Sequence, residues 1–223
     1  PCGDFSLYDH VLDTAVCFGA VPPSHAPLLR ADRLAGYFAL ARGLQDGRHD
    51  LRPLELTKWF DTNYHYLVPE LSPTQDFVLD PREPLERLAE ARAAGFKARP
   101  VLLGPVSFLS LAKTTDGSDP LALLDRLLPC YLELLKALAA AGASWVQLDE
   151  PLLATDLDEA ARRAYARAFA ALAPAPRPRL LLATYFGPLR ENLDLALASG
   201  CEGLHLDLVR GAEDLEPALA GLP

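Results

Sequence analysis

Short apolar runs alternate with amphipathic stretches along the second half of the chain. The runs have the length of β-strands, and each is followed by a breaker or a polar residue. They occupy residues 99–104, 144–149, 179–184 and 203–208. The intervening stretches repeat apolar residues at three- and four-residue steps, which predicts helices. These helices occupy residues 84–94, 120–141, 158–172, 188–199 and 212–220. Pro129 interrupts one of them, where we expect a kink or a break.

Strands that alternate with helices indicate βαβ units and a parallel sheet covered on both faces. A closed (β/α)₈ barrel and an open doubly wound sheet both satisfy this order. No GxGxxG or GxxxxGK[ST] motif follows a strand, so the nucleotide-binding open sheets lack their phosphate loop. We therefore predict an α/β fold of the (β/α)₈ TIM-barrel type.

The predicted barrel is incomplete. Residues 54–60 add a fifth strand and residues 1–4 the end of a sixth, whereas a closed barrel needs eight. We expect the first and last strands to be missing, and residues 1–223 to form a single barrel domain truncated at both ends. The chain also contains no Met, which fits a piece of a longer protein.

Composition excludes several classes of protein. The 223 residues carry a net charge of −9 without blocks of like charge, which argues against nucleic-acid binding. No apolar run is long enough to span a membrane, and no secretory signal is visible. A reduced, cytoplasmic chain is therefore expected. The four Cys residues form no CxxC pair, so we expect no metal site and no cofactor in this chain.

Residues 54–66 are the most informative polar segment. They place four aromatic residues among a Lys, a His, an Asp and an Asn. Directional polar groups held among large rings are typical of a strand end that faces a ligand. A half-buried strand whose Tyr and Trp tips reach solvent is the alternative interpretation.

The carboxyl ends of parallel barrel strands usually carry the functional residues. One acid of the adjacent pair Asp149 and Glu150 could bind a cationic group; alternatively, Asp149 caps a helix or pairs with an Arg. His205 and Asp207 are two residues apart and should share one strand face, although a buried His bonded to a carboxylate is the commoner explanation. This rim also takes in residues 104–107 and 184–186, and the candidates singled out on it are Asp4, Lys58, Asn63, His65, Asp149, Glu150, His205 and Asp207.

Several segments, in order, resemble the N-terminal domain of the cobalamin-independent methionine synthases. The most specific is TKWFDTNYHY at residues 57–66. The others are residues 3–12, 68–70, 97–108, 145–151, 182–186 and 203–209.

This resemblance implies a methyltransferase with two (β/α)₈ barrels, which moves a methyl group from 5-methyltetrahydrofolate polyglutamate to homocysteine and gives methionine. The C-terminal catalytic barrel of such enzymes holds zinc and homocysteine. The N-terminal barrel helps to bind the folate and braces its partner. The folate-contacting Lys of the family motif matches Lys58. We therefore expect a folate-binding scaffold barrel that is not catalytic by itself, with the folate and the C-terminal barrel as its partners.

Two alternatives remain open at this stage. One is a stand-alone, non-catalytic binding module with the same fold. The other is an unrelated barrel enzyme that uses Asp149, Glu150, His205 and Asp207 as acid–base groups.

Overall fold

The computed structural model of the chain describes residues 1–60 and 62–221; Asp61, within the polar segment 54–66, lies outside them. The helices are His10–Cys17 (α1), Ala26–Ala31 (α2), Arg33–Arg42 (α3), Arg82–Ala93 (α4), Pro105–Ser110 (α5), Leu124–Ala140 (α6), Glu159–Leu172 (α7), Leu193–Leu197 (α8) and Leu215–Gly221 (α9). The strands are Leu44–Gln45 (β1), Asp50–Leu51 (β2), Leu56–Lys58 (β3), His65–Leu67 (β4), Glu70–Leu71 (β5), Val101–Leu103 (β6), Lys113–Thr114 (β7), Trp145–Asp149 (β8), Arg179–Ala183 (β9) and Gly203–His205 (β10). Single 3₁₀ turns lie at Pro120–Leu123, Pro151–Ala154, Arg190–Asn192 and Ala212–Asp214.

The four predicted strands of the second half form one parallel sheet in the order β10, β9, β8, β6. Val146 and Leu148 of β8 are fully buried and share the main hydrophobic cluster with Tyr131 of α6 and Tyr165 of α7. Cys2 extends this sheet beside β6 through a parallel bridge to Pro100. The mixed α/β class and the parallel sheet are therefore confirmed.

The segment 54–60 corrects the predicted topology. It contributes β3, which pairs antiparallel with β4 and forms a hairpin instead of a parallel barrel strand. The chain reverses after Trp59, whose carbonyl accepts hydrogen bonds from the backbone and the hydroxyl of Thr62. An apolar–polar pattern indicates a strand but does not encode its partner. Within residues 1–60 and 62–221, the parallel strands form this open sheet and a separate β5–β7 pair, not a closed barrel.

Of the two outcomes expected at Pro129, a kink or a break, the break is wrong, because helix α6 continues through this residue. The proline removes only one backbone hydrogen bond, to the carbonyl four residues earlier. Buried Leu127, Tyr131, Leu134 and Leu138 hold the helix against the sheet and its neighbours. Packing of this apolar face outweighs the lost bond.

The β3–β4 hairpin lies between two hydrophobic clusters. Trp59, Tyr66 and Val68 belong to the main cluster, while Leu54 and Leu67 belong to a smaller one formed with α1 and α3. No helix in the described part of the chain is long and apolar enough to cross a membrane.

Candidate functional site

The candidate residues lie on different elements, some at the carboxyl edge of the parallel sheet and others on the β3–β4 hairpin. Asp4, Asp149 and His205 lie near the carboxyl ends of the parallel strands, whereas Lys58 and His65 lie on the hairpin. Lys58 is the last residue of β3 and directly precedes Trp59. Because successive side chains of an extended chain alternate, Lys58 leaves the hairpin on the face opposite the buried Trp59 ring.

Asp149 is the centre of the first group. It ends β8 and lies in register with Ala183, which is in register with His205 on the next strand. Its carboxylate accepts hydrogen bonds from the Gln147 amide at 2.6 Å and the Tyr185 hydroxyl at 3.1 Å. Burial raises the pKa of Asp149, and these two bonds oppose that rise.

Two further charges act on Asp149. The nearby His205 lowers the pKa of this carboxyl, whereas the negative charge of Asp4 raises it. Asp4 is exposed, and both Asp4 and Asp149 line a cavity of about 110 Å³ beside β6 and α1. The structure therefore does bring Asp4, Asp149 and His205 into one neighbourhood.

Gln147 was missed by the sequence reasoning. Its amide nitrogen donates to Asp149 while its oxygen accepts a 2.7 Å bond from Arg99. The alternation of a strand places residues 147 and 149 on one face, so the position of Gln147 two residues before Asp149 was the available signal.

His205 and Asp207 do not form the expected pair on a strand. β10 ends at His205, which is exposed and whose Nδ1 donates to the carbonyl oxygen of Thr184 at 3.0 Å. Asp207 lies in the following turn, where it accepts the backbone N–H groups of Phe186, Val209 and Arg210. Backbone N–H groups therefore satisfy the Asp207 carboxylate. The alternative of a buried histidine bonded to a carboxylate is also wrong for these two residues, because His205 is exposed and bonds to Thr184.

Glu150 points into the protein interior and is only 1% exposed. Its carboxylate accepts the N–H groups of Val106 and Ser107 at the start of α5, at 3.1 and 2.8 Å. It also accepts the hydroxyl of Tyr165 at 2.9 Å. Burial raises the pKa of Glu150 to about 7, although these bonds favour its charged form. Glu150, and not Asp149, therefore caps a helix, and a ligand cannot reach it in this structure.

These contacts argue against the acid–base alternative as a set of four residues. Two of its four groups, Glu150 and Asp207, are occupied by backbone N–H groups. The remaining Asp149 and His205 lie on strands separated by β9.

The second group is a pair on the hairpin. Lys58 and His65 are directly opposite each other in the β3–β4 register, and both are exposed. The ring Nδ1 of His65 lies 3.1 Å from the backbone oxygen of Asn63, which is exposed in the turn. Within residues 1–60 and 62–221, no side chain forms an ion pair with Lys58.

An aromatic cluster joins the hairpin to the carboxyl edge of the sheet. The Trp59 and Phe60 rings are 5.2 Å apart, and Phe60 packs against Phe186 at 5.6 Å. Phe186 in turn contacts Tyr185 at 4.7 Å, which is the residue that bonds Asp149. The cluster thus links the two groups of candidate residues.

His10 lines the cavity and contacts the Trp59 ring at 4.5 Å. Burial lowers the pKa of His10 to about 4, so its ring is neutral near pH 7. Within the described ranges, no three His, Cys, Asp or Glu side chains come close enough to hold a metal ion together. The four cysteines at positions 2, 17, 130 and 201 are unpaired thiols.

Comparisons with known proteins cover the whole chain. It is 59% identical over 223 residues to the 5-methyltetrahydropteroyltriglutamate–homocysteine methyltransferase of Xylella fastidiosa strain 9a5c. It is 57% identical over 224 residues to the protein of the same name from Acidiphilium cryptum strain JF-5. All of this chain is covered in both cases, but only 29% of each relative. The chain thus spans less than a third of the length of these curated relatives.

A solved structure, a methyltransferase from Methanosarcina mazei, superposes with a TM-score of 0.53 at 16% identity, over 96% of this chain and 73% of that one. At this identity the likeness concerns the fold alone. The family profile described as "Cobalamin-independent synthase, N-terminal domain" matches residues 1–223. The chain therefore belongs to the family of cobalamin-independent synthase N-terminal domains.

Proposed function

We propose that this chain is the N-terminal part of a 5-methyltetrahydropteroyltriglutamate–homocysteine methyltransferase, and that Lys58 holds the anionic glutamate tail of the folate substrate. The match of the whole chain to relatives of that name supports the reaction. The tail carries several carboxylates, for which a flexible ammonium is a suitable partner.

The proposed role of Lys58 depends on its charge being accessible to an anionic ligand. Its side chain is exposed and forms no ion pair within the described residues. Lys113, on β7 beside the same hairpin, is instead held by Glu55 at 2.7 Å and Glu70 at 3.3 Å. Because the chain as a whole is acidic, with a net charge of −9, attraction for an anion must be local to Lys58.

The remaining parts of the proposal concern the parent protein. We propose that the chain forms a single domain, that strands outside it complete a (β/α)₈ barrel, and that a C-terminal barrel performs the methyl transfer in the cytoplasm. Zinc in that barrel would stabilise the homocysteine thiolate. The described residues offer no ligand set that fits zinc, so no step is assigned to a metal here. The isolated chain would then bind and brace without catalysis.

The test uses the full-length enzyme with Lys58→Ala. Loss of an exposed charged contact worth about 0.7–1 kcal/mol should raise KM for the triglutamate substrate roughly threefold to fivefold. The value of kcat should stay unchanged, because the tail is bound equally in the ground and transition states. KM for a monoglutamate substrate should change less.

Lys136→Ala is the matched control, because Lys136 is an exposed lysine on the distant helix α6. Its KM should equal that of the wild type. If Lys58→Ala behaves like this control, Lys58 does not bind the tail, and a purely scaffolding role for this chain is favoured.

A further inference from the structure

We infer that His65 is a second anion-binding residue beside Lys58, and that it takes up a proton when a carboxylate of the ligand binds. The inference deepens the proposed function and rests on it. It assigns a second contact to the same polyanionic ligand and adds a proton to the binding reaction.

His65 lies beside Lys58 at a closely spaced position of the hairpin. The N–H of Trp59 donates to the oxygen of Tyr64 at 2.8 Å, and the N–H of Val68 donates to Glu55 at 2.8 Å. Because hydrogen-bonded and non-hydrogen-bonded pairs alternate, the Lys58–His65 pair is of the non-hydrogen-bonded kind. Side chains at such pairs approach most closely and leave the same face. Lys58 and His65 can thus face neighbouring carboxylates of one ligand.

The two ring nitrogens of His65 have different hydrogen-bonding roles. Nδ1 of His65 is 3.1 Å from the backbone oxygen of Asn63, and a carbonyl oxygen can only accept. Nδ1 therefore carries the hydrogen. A neutral imidazole has a single N–H, so Nε2 is an acceptor in the uncharged ring. An ionised carboxylate is also an acceptor, so in this tautomer it can bond to Nε2 only after Nε2 gains a proton.

The described carboxylates around the hairpin already have other partners. The carboxylate of Glu55 is held by Lys113. That of Asp9, the N-cap residue of α1, accepts the N–H groups of Leu12 and Leu67. Lys58 is the cross-strand partner of His65. Apart from Asp61, which is not described, no carboxylate pairs with His65. A bound polyanion would supply the missing negative charge and favour proton uptake.

The experiment is titration calorimetry on the full-length enzyme with 5-methyltetrahydropteroyltriglutamate near pH 7.5. Repeating it in buffers of different ionisation enthalpy gives the number of protons taken up. We expect a measurable net uptake of protons for the wild type. His65→Gln should abolish the uptake and weaken binding roughly threefold to fivefold, as for an exposed charge pair. His65→Lys should restore the affinity without proton uptake, because its charge is permanent.

His49→Gln is the control, because His49 is an exposed histidine of another hairpin, where it contacts Asp46. It should keep both the affinity and the proton uptake of the wild type. If His65→Gln also keeps both, while Lys58→Ala still weakens binding, the inference about His65 is overturned and the proposed function stands. If Lys58→Ala leaves binding unchanged, the proposed role of Lys58 is overturned, and the inference about His65 falls with it.

Discussion

Phe60 and Phe186 pack ring against ring at 5.6 Å, and both have left-handed backbone conformations, with φ of 52° and 80°. Such conformations are unfavourable for residues other than glycine by roughly 1–2 kcal/mol each. They persist here because the surrounding aromatic cluster fixes both rings. The contact therefore holds the end of the hairpin against the carboxyl edge of the sheet at the expense of local backbone strain.

Substitution of Phe186 should reveal this strain. Phe186→Ala removes the ring and keeps the strain, whereas Phe186→Gly removes both. We therefore expect Phe186→Gly to have the higher free energy of unfolding, by about 1 kcal/mol, in urea titrations of the full-length protein. At Phe169, inside α7, the order should be reversed, with Gly less stable than Ala by about 1 kcal/mol. An equal or lower stability of Phe186→Gly would contradict a strained backbone at this position.

Glu150 should make stability depend on pH. Its pKa is raised from 4.5 to about 7 in the folded protein, so the folded state keeps a proton that the unfolded chain has lost. The stabilisation is fully present below pH 4.5 and disappears as the pH rises through 7. At about 1.4 kcal/mol per pH unit, the free energy of unfolding should fall by up to roughly 3 kcal/mol over this range.

The measurement compares the wild type with Glu150→Gln in urea titrations at pH 5 and pH 8. Other titrating groups contribute to both proteins and cancel in the difference. The wild type should lose more stability than the variant between these two pH values. A difference between the two proteins that is the same at both values would show that Glu150 does not titrate in this range.

Gly104 leaves the space that the Glu150 side chain occupies. A Cβ at this position would overlap the carboxylate of Glu150. Gly104→Ala should therefore lower the free energy of unfolding by about 3 kcal/mol. Gly187→Ala is the control, since its nearest neighbour would be the Ala154 oxygen at 3.9 Å, and it should cost less than about 0.5 kcal/mol.

A double-mutant cycle identifies the cause. In a Glu150→Ala background the obstructing carboxylate is gone, and Gly104→Ala should become nearly neutral. A cost that persists in that background would assign the effect to some other contact of Gly104.

The sequence predicted the elements whose patterns are local. The strand around Val146 and Leu148 and the apolar face of α6 were predicted correctly, because the spacing of their apolar residues along the sequence is typical of a buried strand and an amphipathic helix. The direction of β3 was not predicted from the sequence. Its antiparallel pairing with β4 depends on the turn after Trp59 and on packing against the two hydrophobic clusters on either side of the hairpin. Helices α2 and α3 were missed altogether.

The candidate site shows the same limit. Asp149 and Glu150 are adjacent in the chain, yet one reaches the cavity and the other caps α5. Alternation places them on opposite faces, but which face lies inside depends on the packing of α5 and α7. The pairing of Lys58 with His65 likewise requires the register of a hairpin, which the sequence alone leaves open.

The hairpin stem is clamped on one side by Trp59 and Tyr66 and on the other by Leu54 and Leu67. The backbone of the hairpin is therefore already ordered before a ligand binds. A ligand that binds Lys58 and His65 has to immobilise only these two side chains and not a loop. Ordering each such side chain costs about 0.5–1.5 kcal/mol. The conformational entropy lost on binding at this hairpin is therefore small, and even weak contacts with carboxylates can give measurable affinity.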